Sequence, residues 1–273
     1  MWTCLCRFVR PSQLPFPSQI RSLLTNASSI QDYRLYLSHC RRNLIDIDTN
    51  IFRGTLYELY VKDFLSANLA CFELVKVGGA GDNGVDIRGK WNLDYFQQLQ
   101  KKKLSKLNVG SVLRLSSKYI DSKTNSKQGR IINLKRDIKV LIQCKNVSSK
   151  IGAGLIREII GTYHMNVKSD PPVQNYLFLI SKNILTPQAV ALADSATIPI
   201  IHLRISPLEY GGSDNKDIYD PEHWTGGELV SAYINSQARE YLDGLSMELQ
   251  MKLIQRKSML PPIINSGTES KSE

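Results

Sequence analysis

Hydrophobic spacing along the chain alternates between helical and strand periods. Phe52, Leu56, Leu59 and Phe64 recur as one apolar stripe, which predicts a helix to about Ala67 with Asp48 or Thr49 as its cap. Phe72–Val77 reads as a strand and runs into Gly78-Gly79-Ala80-Gly81-Asp82-Asn83-Gly84, a dense turn signal. Val85-Asp86-Ile87-Arg88 predicts a second short strand. Ile138 to Lys145 reads as a strand with an apolar row on one side and a row ending in Gln and Lys on the other. Ile138, Val140, Ile142 and Cys144 fall on one face, and Lys139, Leu141, Gln143 and Lys145 on the other.

An amphipathic segment with Ile151, Leu155, Ile156, Ile159 and Ile160 follows Ser148 or Ser149. Tyr176–Ile180 is an unbroken apolar run, suited to a strand covered on both faces. Thr186-Pro187 gives a cap and a first-turn proline for a helix through Ala196, and Ile198–Leu203 returns as a strand. The order helix, strand, strand, insertion, strand, helix, strand, helix, strand predicts a layered α/β domain over residues 31–210. From about Gly226 to Gln255 the spacing predicts a long helix. Leu229, Tyr233, Ala238, Tyr241, Leu245, Leu249 and Leu253 give it an apolar face for packing on its own domain or for a homodimer contact. Residues 211–273 thus read as a C-terminal helical extension, polar after Pro262.

Charge changes the picture at two places. The chain has 35 Lys and Arg against 25 Asp and Glu, a net charge of +10. Residues 88–140 alone hold fourteen Lys and Arg against Asp94, Asp121 and Asp137, a net of +11. Trp91, Tyr95, Phe96 and Tyr119 are interleaved with these cations, a combination that suits phosphate contact and base stacking. Arg88, Lys90, Lys101, Lys102, Lys103, Lys106, Arg130, Lys135 and Arg136 are the candidate nucleic-acid contacts. Residues 1–31 carry Arg7, Arg10 and Arg21, several serines and no acid, so residues 1–30 read as an organelle import segment. Cysteines at 4, 6, 40, 71 and 144 lack disulfide or zinc spacing. No apolar stretch is long enough to span a membrane.

Gly79, Gly81 and Gly84 satisfy a dinucleotide-binding spacing, but strand-like residues follow where a helix must open. The glycines read instead as a hairpin turn, with Asn83-Gly84 suited to positive φ. His39, His164, His202 and His223 have no metal-ligand spacing, and no serine–histidine–acid arrangement stands out.

Asp86, Gln143 and Lys145 form the candidate site. Gln143 and Lys145 point to the same side of one strand. If the Asp86 strand pairs beside it, a carboxylate, an amide oxygen and an ammonium converge at a sheet edge. Asp86, the Gln143 oxygen and the Cys144 main-chain carbonyl suit a magnesium or manganese ion, with Glu58 on the preceding helix as a second carboxylate. Lys145 then holds the attacking water and screens charge on a phosphate. Glu58 also stands four residues from Lys62, as a surface ion pair would.

These residues resemble the restriction-endonuclease-like PD-(D/E)XK superfamily in its Mrr-type branch. The resemblance is carried by Phe52-Arg53-Gly54-Thr55-Leu56-Tyr57-Glu58, by Gly81-Asp82-Asn83-Gly84-Val85-Asp86-Ile87 and by Gln143-Cys144-Lys145. Ile180-Ser181-Lys182 and Leu185-Thr186-Pro187-Gln188-Ala189 add to it downstream. It implies a mixed sheet flanked by helices and a metal-dependent nuclease, with DNA ahead of RNA as substrate. Catalytic Asp86, Gln143, Lys145 and Glu58, and metal ligands Asp86, Glu58, Gln143 and Cys144, come with it. Two departures stand out: glutamine replaces the second acid, and 56 residues separate Asp86 from Gln143. The basic insertion (about 89–137) and import-like start resemble the fungal mitochondrial required for respiratory growth protein 7 family. That likeness implies a mitochondrial location and the fold, and leaves open a non-catalytic nucleic-acid-binding role on a nuclease fold; the cysteines without disulfide spacing suit the matrix.

Overall fold

A computed structural model describes residues 29–77, 84–106, 132–168, 172–212, 217–245 and 247–258. The chain opens with helices α1 (Tyr33–Arg42) and α2 (Asn50–Leu69). Thr49 caps α2, its hydroxyl accepting from the Phe52 amide at 3.2 Å. Strands β1 (Cys71–Lys76) and β2 (Ile87–Trp91) precede α3 (Leu93–Lys106). After the basic insertion come β3 (Lys139–Lys145), α4 (Ala153–Asn166), β4 (Asn175–Ser181), α5 (Pro187–Ser195) and β5 (Ile200–Ile205). A small hairpin, β6 (Leu208–Tyr210) and β7 (Trp224–Gly226), leads to β8 (Leu229–Ile234), α6 (Ser236–Tyr241) and α7 (Met247–Ser258).

Six strands form one mixed sheet in the order β1-β2-β3-β4-β5-β8. The β3–β4 and β4–β5 pairs are parallel, bridged by α4 and α5; the others are antiparallel. One face buries α2 and α3 residues such as Val61, Leu65 and Phe96 against Ile87, Val140, Ile142 and Phe178. The other face packs Ile156, Ile159 and Tyr163 of α4 and Ala189 of α5 on Leu141, Leu177 and Leu179. With a helical layer on each side, β4 is buried at every position, as its unbroken apolar run requires. Thr186 caps α5 with Pro187 in its first turn, and Gly84 takes φ +75° in the turn before Asp86. No helix opens after Gly84, so the dinucleotide site is excluded here by geometry.

The structure corrects four readings. The long helix expected from Gly226 to Gln255 is instead β7, β8, α6 and α7. Leu229–Ile234 extends the main sheet by pairing with β5, so this part of the C-terminal region completes the core. Leu249 and Leu253 remain exposed on α7, whereas Leu229, Ala238 and Leu245 are core residues. Ile151, read as part of the amphipathic segment, lies before α4, whose N-cap is Gly152. Trp91 and Phe96 are fully buried, and the Trp91 Nε1–H donates to the Leu69 carbonyl at 2.8 Å. Edge-on contacts to Tyr176 and Phe178 complete its packing, so neither ring is a base-stacking platform. Tyr95 remains half exposed.

One buried polar pair links β4 to β5. Ser181 and His202 meet at 2.7 Å (Oγ to Nε2), and the Ser181 hydroxyl donates to the Asn183 carbonyl at 2.7 Å. With that proton committed, the imidazole donates Nε2–H to Ser181 and is no base towards it. Burial, helped by the Arg204 cation, pushes the His202 pKa from 6.5 down to about 4. Between those values the unfolded chain takes up a proton that the folded chain refuses. Stability is therefore fully present above pH 6.5 and falls as pH drops towards 4, by about 3 kcal/mol in total. His202→Gln, which keeps a donor for Ser181 and cannot titrate, is expected to flatten this part of the stability profile. Urea midpoints at pH 7 and pH 4.5 check it; equal slopes in both proteins refute the assignment.

Candidate functional site

The site lies where β2 begins and β3 ends. The antiparallel register pairs Ile87 with Ile142, and Asp86, just before β2, leaves the regular ladder. The Asp86 main chain is stitched on both sides: its amide donates to the Ile142 carbonyl at 2.9 Å, and its carbonyl accepts from the Val77 amide at 2.8 Å. Its side-chain Oδ2 accepts from the Cys144 amide at 2.6 Å, across a gap of 58 residues in sequence. This contact fixes the carboxylate against the β3 backbone between Gln143 and Lys145.

Gln143 is buried, and its Nε2 donates to Glu158 Oε1 at 3.3 Å. A carboxylate only accepts, so this contact orients the amide and leaves its oxygen on the other side. That oxygen is shut from solvent and has no hydrogen-bond partner. Leaving a buried acceptor unmatched costs about 1–3 kcal/mol, a cost a ligand recovers. Lys145 Nζ lies 3.7 Å from the same Glu158 carboxylate. Glu158 therefore orients both side chains.

Glu58 enters from α2, on the opposite face of the sheet. It pairs with Lys76 at the end of β1, at 3.1 Å, both side chains being mostly buried. Lys62 instead donates to the Gln31 carbonyl, so the Glu58–Lys62 pair suggested by spacing is not formed. Cys144 sits among all these charges. Burial first, then the Asp86 and Glu58 carboxylates, raise its thiol pKa well above 9.0, against the opposing pull of Lys76 and Lys145. The thiol stays protonated, so the residue can offer a hard cation only its main-chain oxygen.

Asp86, the Gln143 amide oxygen and a Cys144 carbonyl fit an oxygen-preferring ion that keeps much of its water. The unmatched Gln143 oxygen is the feature that favours this fit. Among the described residues, no three His, Cys, Asp or Glu side chains gather closely enough to hold a metal by themselves. A softer transition metal is therefore a poor match for the described donors.

The cationic candidates divide. Arg88 donates to the Asn166 side chain on α4, and Lys90 pairs with Glu73 at 2.6 Å. Lys101 and Lys102 are exposed on α3, which packs on the other face, while Lys135 and Arg136 flank the start of β3. The side chains of Lys103 and Lys106, and all of Arg130, Tyr119 and residues 1–28, lie outside the described residues. Glu158 and Lys76 escaped sequence reading. The available signal was indirect: a polar row on a strand face must meet something from the helix covering it.

Fold and site together define an α/β protein with a mixed six-stranded sheet, with carboxylates and ammoniums grouped at the junction of two antiparallel strands. The required for respiratory growth protein 7 family model matches residues 49–242, which includes the whole sheet and all four candidate site side chains. The chain belongs to that family. The mitochondrial family member of Zygosaccharomyces rouxii is 33% identical over 226 residues, covering 80% of this chain and 87% of that protein. The Vanderwaltozyma polyspora protein is 32% identical, covering 75% and 81%, and the protein of Saccharomyces cerevisiae strain S288c is 28% identical, covering 79% and 88%. All three are named as mitochondrial, which supports a mitochondrial location for this chain. No solved structure matches it. No helix among the described residues is long and apolar enough to cross a membrane.

Proposed function

We propose that the protein is a metal-dependent nuclease of the mitochondrial matrix, hydrolysing phosphodiester bonds in nucleic acid, DNA ahead of RNA. One observation carries the reading. Asp86 Oδ2 is held on the Cys144 amide, between Gln143 and Lys145 of β3, and the buried Gln143 oxygen has no partner. The likeness of the same residues to the PD-(D/E)XK pattern supports it. In this reading Asp86 and the Gln143 oxygen hold a magnesium ion, which supplies Lewis-acid polarisation of the phosphate. Lys145, steadied by Glu158, orients a water molecule and screens negative charge on the phosphate.

The test is cleavage of end-labelled single-stranded and duplex DNA and RNA with magnesium, with manganese and with EDTA. Wild-type product is expected with either metal and not with EDTA. Lys145→Ala is expected to lower the rate roughly 100- to 1,000-fold. No metal-dependent product on any substrate overturns the proposal.

A second reading, a non-catalytic nucleic-acid-binding protein supporting respiratory growth, has one observation in its favour. Glu58 is held by Lys76 and one Asp86 oxygen by the Cys144 amide, so the carboxylates already have protein partners. Salt-sensitive binding without turnover selects it.

A further inference from the structure

A cleft of about 400 Å³ opens between the start of α2, the loop after β3 and the β6–β7 hairpin. Two of its lining residues neighbour candidate site residues in the chain: Asn146 follows Lys145, and Tyr57 precedes Glu58. Gly226, with φ +106°, fixes the hairpin wall; a Cβ there would lie 2.5 Å from the Pro207 carbonyl oxygen.

Three features of the lining point to one kind of occupant. Trp224 and Tyr210 present neighbouring rings with centroids 6.0 Å apart. The indole is backed by Phe52 at 5.6 Å and anchored by its Nε1–H to the Ile218 carbonyl at 2.9 Å. Asn146 lines the cleft, and its amide oxygen is shut from solvent with no hydrogen-bond partner. The oxygen lies beneath the cleft surface, so the amide has to rotate for it to accept from a base N–H or a sugar hydroxyl. Of the two cations, Arg53 is held by Asp48 at 2.5 Å, which leaves Lys182 for a phosphate. Asp48 and exposed Glu209 at the rim disfavour a polyphosphate but tolerate a single diester. The volume suits one nucleotide.

We propose that this cleft holds one unpaired nucleotide next to the phosphate positioned at Asp86 and Lys145, so that the substrate is single-stranded or frayed at the cut. The proposal rests on the hydrolase reading and deepens it by naming the form of the substrate. Trp224 stacks on the base, the Asn146 oxygen accepts from it, and Lys182 holds the flanking phosphate.

Fluorescence anisotropy on the full chain in EDTA tests this, with a labelled 12-nucleotide single strand and a blunt 12-base-pair duplex as probes. Trp224→Leu is expected to weaken single-strand binding about tenfold or more, with duplex binding unchanged. Asn146→Ala and Lys182→Gln, which spare the packing of Trp224 on Phe52, are expected to act in the same direction. Wild-type single-strand affinity in Asn146→Ala and Lys182→Gln overturns the inference, as does an equal loss on duplex. Thymidine monophosphate that binds in the cleft where the single strand does not also overturns it, in favour of a free nucleotide. Because these readings need no metal, a wild-type protein that binds as expected and never cuts sinks the hydrolase reading alone. A magnesium-dependent enzyme that binds single strand and duplex alike in every variant sinks only this one.

Discussion

Replacing Asp86 with asparagine is expected to lower magnesium-dependent cleavage at least roughly 1,000-fold while leaving the protein folded. The substitution separates two jobs of one side chain. Asp86 Oδ2 accepts from the Cys144 amide at 2.6 Å, and that bond holds the start of β2 against the end of β3. Asparagine keeps an oxygen for the amide and removes only the charge, so the structural cost is about 1 kcal/mol. Alanine removes both and confuses a lost ligand with a loosened strand. Matching circular dichroism and a thermal midpoint within a few degrees of wild type make the kinetic loss interpretable. If Asp86→Asn cuts at the wild-type rate, Asp86 has no part in holding a metal, and the proposed mechanism goes with it.

Asn235→Ala is expected to destabilise the protein by about 3–5 kcal/mol, independently of any function. Asn235 is fully buried between β8 and α6. Its oxygen accepts from the Ile200 and Ala238 amides, both at 2.9 Å, so it caps α6 and holds the start of β5. Its amide nitrogen donates to the Ala193 and Ile198 carbonyls at 2.8 and 2.9 Å, tying the end of α5 to the same point. Alanine leaves four main-chain groups without this partner in a site closed to water. Asn235→Asp keeps the acceptor but turns a charged oxygen towards two carbonyls, so a comparable loss is expected at neutral pH. Urea denaturation measures both; a shift below about 1 kcal/mol shows that water or main-chain movement replaces those bonds.

Both predictions bear on how much was legible before the fold was known. The α2 stripe, the β3 strand, the turn at Gly84 and the Thr186-Pro187 helix start follow from local periods and cap chemistry, and all four appear as read. The pairing of β2 beside β3 was only a condition of the sequence reading, and the ladder from Ile87 to Lys90 meets it. Trp91 and Phe96 were misread because cations nearby in sequence suggested exposed rings. The indole instead fills the space between β2, β4 and α3. Of the four partners of Asn235 only Ala238 is local, as a helix cap. Ala193, Ile198 and Ile200 lie 35 to 42 residues away, and spacing within one segment carries no trace of them.

The sequence by itself determined the order of elements, the apolar faces that stack helices on a sheet, and the placing of Gln143 and Lys145 on one side of a strand. Those are properties of neighbours a few residues apart, fixed by side-chain direction and backbone geometry. Only the tertiary structure decided that Leu229–Ile234 is a strand, since its apolar spacing fits a helix as well and pairing with β5 breaks the tie. It also decided that Glu58 meets Lys76 rather than Lys62, and that Glu158 steadies Gln143 and Lys145. Charges far apart in sequence find each other through the packing of whole layers, and the energy of that packing resides in no single segment.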